Sequence, residues 1–196
     1  MRHILEPALH ELSQTVLAPG ARTHVRERLG RLIGGDATPD SILALDVGCG
    51  YFSPLAAFGC EVTGLDIDAG RIRHFGPRGI VGSATSLSFA DGHFDIVLSI
   101  GLLHHLDDAD ARRAIGEMRR VARLGGQIVI FDAVLPETAW RRPLAAAIRT
   151  LDFGAHMRGQ AALRMLFDAS DWRCERVTYA ATGLEGVWFL SRGGEE

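Results

Sequence analysis

Apolar residues along this chain fall into two periods. Residues 4–17 place Leu5, Leu9, Leu12 and Val16 on one helical face, and Pro19-Gly20 ends that segment. Residues 22–33 repeat the pattern with Val25, Leu29 and Leu32, until Gly34-Gly35 stops it. From Ser41 the period shortens. Ile42–Val47 reads as a strand, followed by a glycine loop and a short helix from about Phe52 or Ser53 to Phe58, closed by Gly59. Glu61–Asp66 reads as a second strand, residues 69–75 as a helix, and Ile80-Val81 as a short third strand. Phe94–Ile100 is nearly continuous in apolar character, the mark of a strand buried on both faces. Asp108–Arg123 has helical period, with Ala111, Ile115, Met118 and Ala122 inward. Gly125-Gly126 then turns the chain into a fifth buried strand, Gln127–Phe131.

After Asp132 the pattern loosens. Residues 137–150 predict a helix with Trp140 near its start and Pro143 in the first turn. Residues 151–158 are irregular, and a helix over about 160–169 carries Leu163, Leu166 and Phe167. Two strands, near 174–180 and 186–191, meet at Thr182-Gly183 with a connection short enough for an antiparallel hairpin. The alternation of strand and helix predicts an α/β fold with a parallel, doubly wound sheet and right-handed crossovers. No repeat, low-complexity tract or linker divides the chain, so it reads as one domain over 1–196.

Composition changes this picture in a few places. At 196 residues, with 47% hydrophobic and 23% charged residues, the chain can bury a core without disulfides. The formal net charge of −3 supplies no general attraction to nucleic acid or an anionic membrane. No apolar run is long enough to span a bilayer, and residues 1–7 lack the apolar core of a signal peptide, so the cytoplasm is the expected compartment. The three cysteines, Cys49, Cys60 and Cys174, are widely spaced with no CxxC pair, which argues against a disulfide framework or a zinc site. The chain has no lysine, which excludes Schiff-base chemistry and a Walker A phosphate site.

In a sheet of this kind ligands bind beyond the carboxyl ends of the strands. Those ends carry Asp46 to Gly50, Asp66, Ser83 to Thr85, Ser99 to His105, and Asp132 onward. Gly48 and Gly50 leave room for a ligand to lie on the backbone, and a helix opening beyond them points free N–H groups at an anionic group. Asp66 stands at the end of the second strand, where a carboxylate can accept two hydrogen bonds from a ribose diol. A helix N-cap is the other reading of Asp66 and of Asp68; the diol role suits Asp66 and the cap role Asp68. Ile67 either packs on a nucleoside base or fills the core. A dinucleotide site wants a third glycine where Ser53 stands, and Asp46 would repel a pyrophosphate. An acid in that place suits an ammonium or sulfonium charge. S-adenosylmethionine carries both, with one carboxylate for the N–H groups of the loop.

Asp46-Val-Gly-Cys-Gly50, Gly64-Leu-Asp66, the run from Ser88 to Val97, Leu103-His-His-Leu106 and the run from Arg120 to Gly126 follow one another in the order of a known set of motifs. In them the chain resembles class I S-adenosylmethionine-dependent methyltransferases of the small-molecule type, similar to ubiquinone- and menaquinone-biosynthesis enzymes. The resemblance is strong over residues 42–132 and weaker over the two terminal strands. It implies a Rossmann-like sheet of seven strands in the order 3-2-1-4-5-7-6, with strand 7 antiparallel and helices N-terminal to the sheet. It also implies that Asp46, Gly48, Cys49 and Gly50 hold the methionine part, Asp66 the ribose hydroxyls and Ile67 the adenine face. Ser83, Ala84 and Thr85 would edge the adenine, and Ile100 and Gly101 would line the cofactor beside the methyl group. Ser83 departs from the acid the family often has there, and Leu124 replaces the proline of a common Pro-Gly-Gly turn.

The resemblance divides the chain by role: a helical cap over 1–40, a cofactor-binding core over 41–135, an acceptor-pocket segment over 136–170 and the terminal hairpin over 171–196. Methyl transfer needs alignment and exclusion of water, and a general base only where the nucleophile begins protonated. His104 and His105 follow the fourth strand; either is that base, or one packs beneath the sheet while the other satisfies a loop carbonyl. Asp107 and Asp108 fit the cap and first turn of the next helix better than a metal site, and no metal is expected. Trp140, Arg141, His156 and Arg158 are the candidate acceptor contacts. Arg141 and Arg142 read equally as surface charges, and Asp152 and Arg158 as a pair holding the loop. The expected partner is a small-molecule acceptor, with no nucleic acid and no membrane, the chain being a monomer or homodimer. A catalytically silent cofactor-binding partner protein and a nucleic-acid methyltransferase are the alternatives. A nicotinamide oxidoreductase is disfavoured by Ser53 and Asp46.

Overall fold

The computed structural model describes residues 42–136, 154–167, 172–178 and 185–192, together with Glu27 and Gly30, both helical. The described strands are β1 (Leu43–Val47), β2 (Glu61–Asp66), β3 (Gly79–Val81), β4 (Phe94–Ile100), β5 (Ala122–Leu135), β6 (Arg158–Gly159), β7 (Trp172–Thr178) and β8 (Glu185–Arg192). The helices are α1 (Ala69–Ile72), α2 (Asp108–Val121) and α3 (Gln160–Met165), with 3₁₀ turns at Pro54–Phe58, Arg73–Arg78 and Leu103–His105.

The strands run in the order β3-β2-β1-β4-β5-β8-β7, with β6 paired to β5 off that path. β1 to β5 are parallel, and β8 runs antiparallel to both β5 and β7. Without the two-residue β6 this is the expected topology. The crossing from β3 to β4 across β1 opens a crevice at the strand tips, which is where such sheets bind ligands.

Alternation along the strands sorts the core into two layers. Leu45, Val47, Val97, Ile128 and Ile130 pack with Ala111, Ala114, Ile115, Met118 and Val121 of α2 on one face. Ala44, Val62, Ile96, Leu98, Val129 and Phe131 pack with Val187 and Phe189 on the other. Each such buried aliphatic side chain contributes about 1.5–3 kcal/mol. Both layers converge on β1 and β4, so the strands that carry the tips are the most rigidly held.

Several elements differ from their sequence expectation. The segment after the glycine loop is a five-residue 3₁₀ turn, because Pro54 starts it and Gly59, at φ 75°, ends it. The helix expected over 69–75 stops at Ile72 and tightens into a 3₁₀ turn interrupted by Gly76 (φ 59°, ψ −135°) and Pro77. β5 is longer than Gln127–Phe131, reaching Leu135 where it pairs with β6. The helix expected to about 169 stops at Met165. The other positions of the two N-terminal helical stretches, and the helix expected over 137–150, lie outside the described residues.

Candidate functional site

β1 delivers Asp46 and Val47 to the crevice, and the chain then turns through Gly48 (φ 73°) and Gly50 (φ 61°). Both lie in the left-handed region that glycine adopts without strain. The N–H groups of Gly48 and Cys49 donate to the Leu65 carbonyl at 2.7 and 3.1 Å, which fastens the loop to β2. A Cβ at Gly48 would lie 3.1 Å from Leu102 Cδ1, whereas one at Gly50 would meet nothing within 4 Å. The loop is therefore packed on its inner side and open at Gly50. The Cys49 thiol is pushed up by burial and by the charges of Asp46 and Asp66, so it stays protonated and unreactive.

Asp46 is buried and only partly hydrogen-bonded. It is 2% exposed, its Oδ1 has no hydrogen-bond partner, and its other contact is a hydrogen bond from Ser53. Burial, and less so the charge of Asp66, pushes its carboxyl up to about 7. A donor or cation placed against Oδ1 would relieve both the desolvation and the missing bond.

Asp66 closes β2. Its Oδ2 accepts from the Gly50 N–H at 2.9 Å and its Oδ1 from the Asp68 N–H at 2.8 Å. Each oxygen keeps a further lone pair for a hydroxyl donor. Asp68 takes the cap position, accepting from the N–H groups of Gly70 and Arg71 at the start of α1. Ile67 between them is 79% exposed, which removes the core reading for that residue. Ser83 Oγ and Thr85 Oγ1 lie 2.8 Å apart and the Thr85 N–H donates to Ser83 Oγ at 3.2 Å, so these hydroxyls knit the turn after β3. Ala84 is buried beside them.

On the far side of the crevice Ile100 ends β4, and Gly101 (φ 65°) donates its N–H to the Phe131 carbonyl at 2.8 Å. The turn Leu103–His105 follows. His104 Nδ1 lies 2.6 Å from Asp132 Oδ1, and Asp132, 1% exposed, also accepts from the N–H groups of Leu103 (2.6 Å) and Ala133 (2.8 Å). His105 is exposed, with its ring 4.1 Å from that of His104. A buried carboxylate thus holds the His104 ring through Nδ1.

Arg158 has an occupation different from acceptor binding. Its guanidinium donates to Asp108 Oδ1 (2.8 Å) and to the carbonyls of Leu103 (2.8 Å), His156 (3.1 Å) and Leu106 (2.7 Å), and a second of its nitrogens forms an ion pair with the same Asp108 oxygen at 2.8 Å. These contacts engage all three nitrogens, so it clamps the His104 turn to α2. Its acidic partner among the described residues is Asp108, and the expected pairing with Asp152 falls outside them. His156 is exposed and donates its backbone N–H to the His104 carbonyl at 2.9 Å. Trp140, Arg141, Arg142 and Asp152 lie outside the described residues. Among the described residues no group of three or more His, Cys, Asp or Glu could hold a metal ion, and no helix is long and apolar enough to cross a membrane.

Residues 45–130, which span the glycine loop, both acidic strand ends and the His104 turn, match the family described as methyltransferase domain. That stretch of the chain is similar to a methyltransferase domain. It is 38% identical over 103 residues to the probable tRNA methyltransferase 9B of Mus musculus, covering 49% of this chain and 22% of that protein. It is also 38% identical over 133 residues to an uncharacterized methyltransferase of Mycobacterium sp. (strain KMS), covering 63% and 46%. The chain thus spans less than half the length of these curated relatives. A geranyl diphosphate C-methyltransferase of Streptomyces coelicolor A3(2), solved with Mg2+, geranyl diphosphate and S-adenosyl-L-homocysteine, shares the fold with a TM-score of 0.65 at 13% identity, over 86% of this chain and 78% of that one.

Along the matched stretch, the structure brings Asp46, Gly48, Cys49, Gly50, Asp66 and Ile67 together on one side of the crevice, and Ile100, Gly101, His104 and His105 on the other. Sequence reasoning left three participants without roles or with others. Ser53 serves Asp46 and caps the turn after it, Asp132 holds His104, and Arg158 braces the turn. The signal for Asp132 was its place at a strand tip; nothing in the spacing paired it with a residue 28 positions earlier.

Proposed function

We propose that this chain transfers a methyl group from S-adenosylmethionine to an O, N or C nucleophile of a small molecule. The observation that carries the reading is the buried, unpartnered Oδ1 of Asp46 at the base of a glycine loop open at Gly50. That oxygen suits the α-ammonium of the methionine part. The carboxylate of Asp66 suits the ribose hydroxyls, the exposed side chain of Ile67 the adenine face, and the turn of Ser83, Ala84 and Thr85 its edge. The cofactor would supply an electrophilic methyl group on a sulfonium. The protein's own work is to bind, orient and exclude water. The reading extends to a cytoplasmic monomer or homodimer, in keeping with Cys49, Cys60 and Cys174 as free thiols.

Transfer to tRNA is a second reading, favoured by the identity with the mouse protein. A net charge of −3, with Asp46, Asp66, Asp68, Asp107 and Asp132 about the strand tips, favours the small molecule over a polyanion. Incubation with tritium-labelled donor, with a panel of small hydroxyl, amine and carbanion acceptors in one arm and bulk tRNA in the other, separates the two. Label in a small acceptor supports the proposal; label in tRNA alone replaces it with the second reading. Donor binding without transfer in either arm favours a catalytically silent partner.

A further inference from the structure

We infer that Glu117 and Arg120, paired on α2, are positioning residues that preset the turn edging the adenine, so that the nucleobase is selected by backbone groups held from the helix and not by an acidic side chain. This rests on the methyl-transfer reading and deepens it, by naming what chooses the base of the cofactor.

The geometry begins with the connection from β3 to β4. Residues 82–87, Gly-Ser-Ala-Thr-Ser-Leu, contain no acid. The hydroxyls of Ser83 and Thr85 lie 2.8 Å apart, and Ser83 Oγ also accepts from the Thr85 N–H, so both are engaged within the turn. The Ser86 N–H donates to the Ser83 carbonyl at 3.2 Å and closes it. What such a turn offers the edge of a purine is its remaining backbone donors and acceptors. Those groups discriminate between bases only if the chain that carries them is fixed beforehand. The near end is fixed by the Gly82 N–H, which donates to the Asp66 carbonyl at 3.0 Å. The far end runs irregularly from Leu87 to Asp91, and α2 holds it.

Glu117 Oε2 accepts from the Leu87 N–H at 2.7 Å. Arg120 meets the same carboxylate in a two-point fork, Nε to Oε1 and Nη2 to Oε2, each at 2.8 Å. Its Nη2 also donates to the Leu87 carbonyl at 2.8 Å, and its Nη1 to the Phe89 carbonyl and to Asp91 Oδ1, each at 2.7 Å. These bonds match the five N–H groups of a guanidinium. Both backbone groups of Leu87 thus end on one ion pair, while the Leu87 side chain is buried in the core. The Gly92 N–H then donates to the Arg120 carbonyl and the His93 N–H to the Val121 carbonyl, both at 2.8 Å. Hydrogen bonding from Arg120 draws the Glu117 carboxyl below its ordinary range, so the pair stays ionised. Two opposite charges three residues apart on an open helix surface contribute little. Here the side chains are only 23% and 31% exposed, and both turn onto the segment that continues from the adenine edge. A lysine at 120, with one compact ammonium, could not reproduce that planar fork.

The test uses calorimetry on the full chain and compares S-adenosylhomocysteine with its hypoxanthine counterpart, S-inosylhomocysteine. Hypoxanthine replaces the amino donor of adenine by a carbonyl and the N1 acceptor by an N–H. Fixed backbone partners reject that exchange, whereas a loose turn can pair again. The wild type should prefer the adenine ligand about 10-fold or more. Arg120→Met and Glu117→Leu should each weaken S-adenosylhomocysteine about 10-fold and lose most of the preference. Glu117→Gln, whose amide oxygen can still accept from the Leu87 N–H, should restore part of it. The fall in affinity with pH below about 7, which reports Asp46, should persist in all of these variants. A wild type that binds both ligands alike, or an Arg120→Met protein with its preference intact, would overturn the inference. So would a variant that loses the preference and the pH dependence together, since that marks a general loosening of the fold. Should the variants not fold, amide hydrogen exchange of the wild type decides. The Leu87 N–H should be protected before ligand is added; protection that arises only with S-adenosylhomocysteine rejects a preset turn. Absence of S-adenosylhomocysteine binding to the wild type strikes the methyl-transfer reading and this inference with it, whereas binding without a choice of base strikes only this one.

Discussion

Asp46→Asn should make the ligand-free protein more stable and the site worse. The carboxyl is pushed up to about 7 in the folded chain from an ordinary 3.8, chiefly by burial. The folded state then holds a proton that the unfolded chain has released between those two values. Stability is therefore fully present below about 3.8, falls as pH rises through the interval, and stays low above about 7. At 1.36 kcal/mol per unit over about three units the loss amounts to about 4 kcal/mol, and about 2–4 kcal/mol is a fair expectation. An asparagine carries no such charge. Urea unfolding followed from acidic to mildly alkaline pH should show the variant and wild type nearly matched at low pH. The variant should gain by about 2–4 kcal/mol once pH exceeds 7. Binding runs with the opposite sign, because an ammonium selects the ionised carboxylate. Wild-type affinity for S-adenosylhomocysteine should fall about tenfold for each unit of pH below about 7 and level off above it. In Asp46→Asn that slope should vanish, with affinity at neutral pH about 10- to 100-fold weaker, the scale of one charge-assisted hydrogen bond. A variant that is less stable than wild type above pH 7 and binds equally well would refute the reasoning.

Asp66→Ala removes the acceptor for the proposed ribose contact and the one that ties Gly50 and Asp68 to β2; calorimetry should show S-adenosylhomocysteine binding weakened by roughly 1–3 kcal/mol, and unchanged affinity would reject the ribose assignment. Ile67→Ala should leave the thermal midpoint in place, since the side chain is 79% exposed, yet weaken the same ligand by about 1 kcal/mol through lost apolar contact. Gly64→Ala would set a Cβ 2.5 Å from the Phe75 ring, and differential scanning calorimetry should show destabilisation of about 1–3 kcal/mol.

The sheet was legible because its information is local. Phe94–Ile100 is apolar enough to read as a doubly buried strand, and the structure places β4 at those bounds. The glycine loop and the acids Asp46, Asp66 and Asp68 were legible for a similar reason: each stands a fixed number of residues from the end of a strand. What escaped was long-range. His104 and Asp132 are 28 positions apart, and Arg158 reaches Asp108 across 50. No periodicity encodes such a pairing; it arises because β4 and β5 are neighbours and β6 returns beside β5. Arg158 read either as a ligand contact or as a partner of Asp152, and its three carbonyl partners come into view only when the fold brings them together. The helix expected over 69–75 was too long for a different reason: it stops at Ile72, and Gly76 and Pro77 interrupt the 3₁₀ turn beyond it.

The central claim is that the crevice above β1 and β2 suits a cationic thioether nucleoside and not a dinucleotide phosphate. Isothermal titration of the purified chain with S-adenosylmethionine, S-adenosylhomocysteine and reduced nicotinamide dinucleotide, side by side at neutral pH, tests it most directly. The account predicts saturable heat with one equivalent of the donor and of its demethylated product, and none with the dinucleotide. Tight binding of the dinucleotide with no heat from the other two would contradict it.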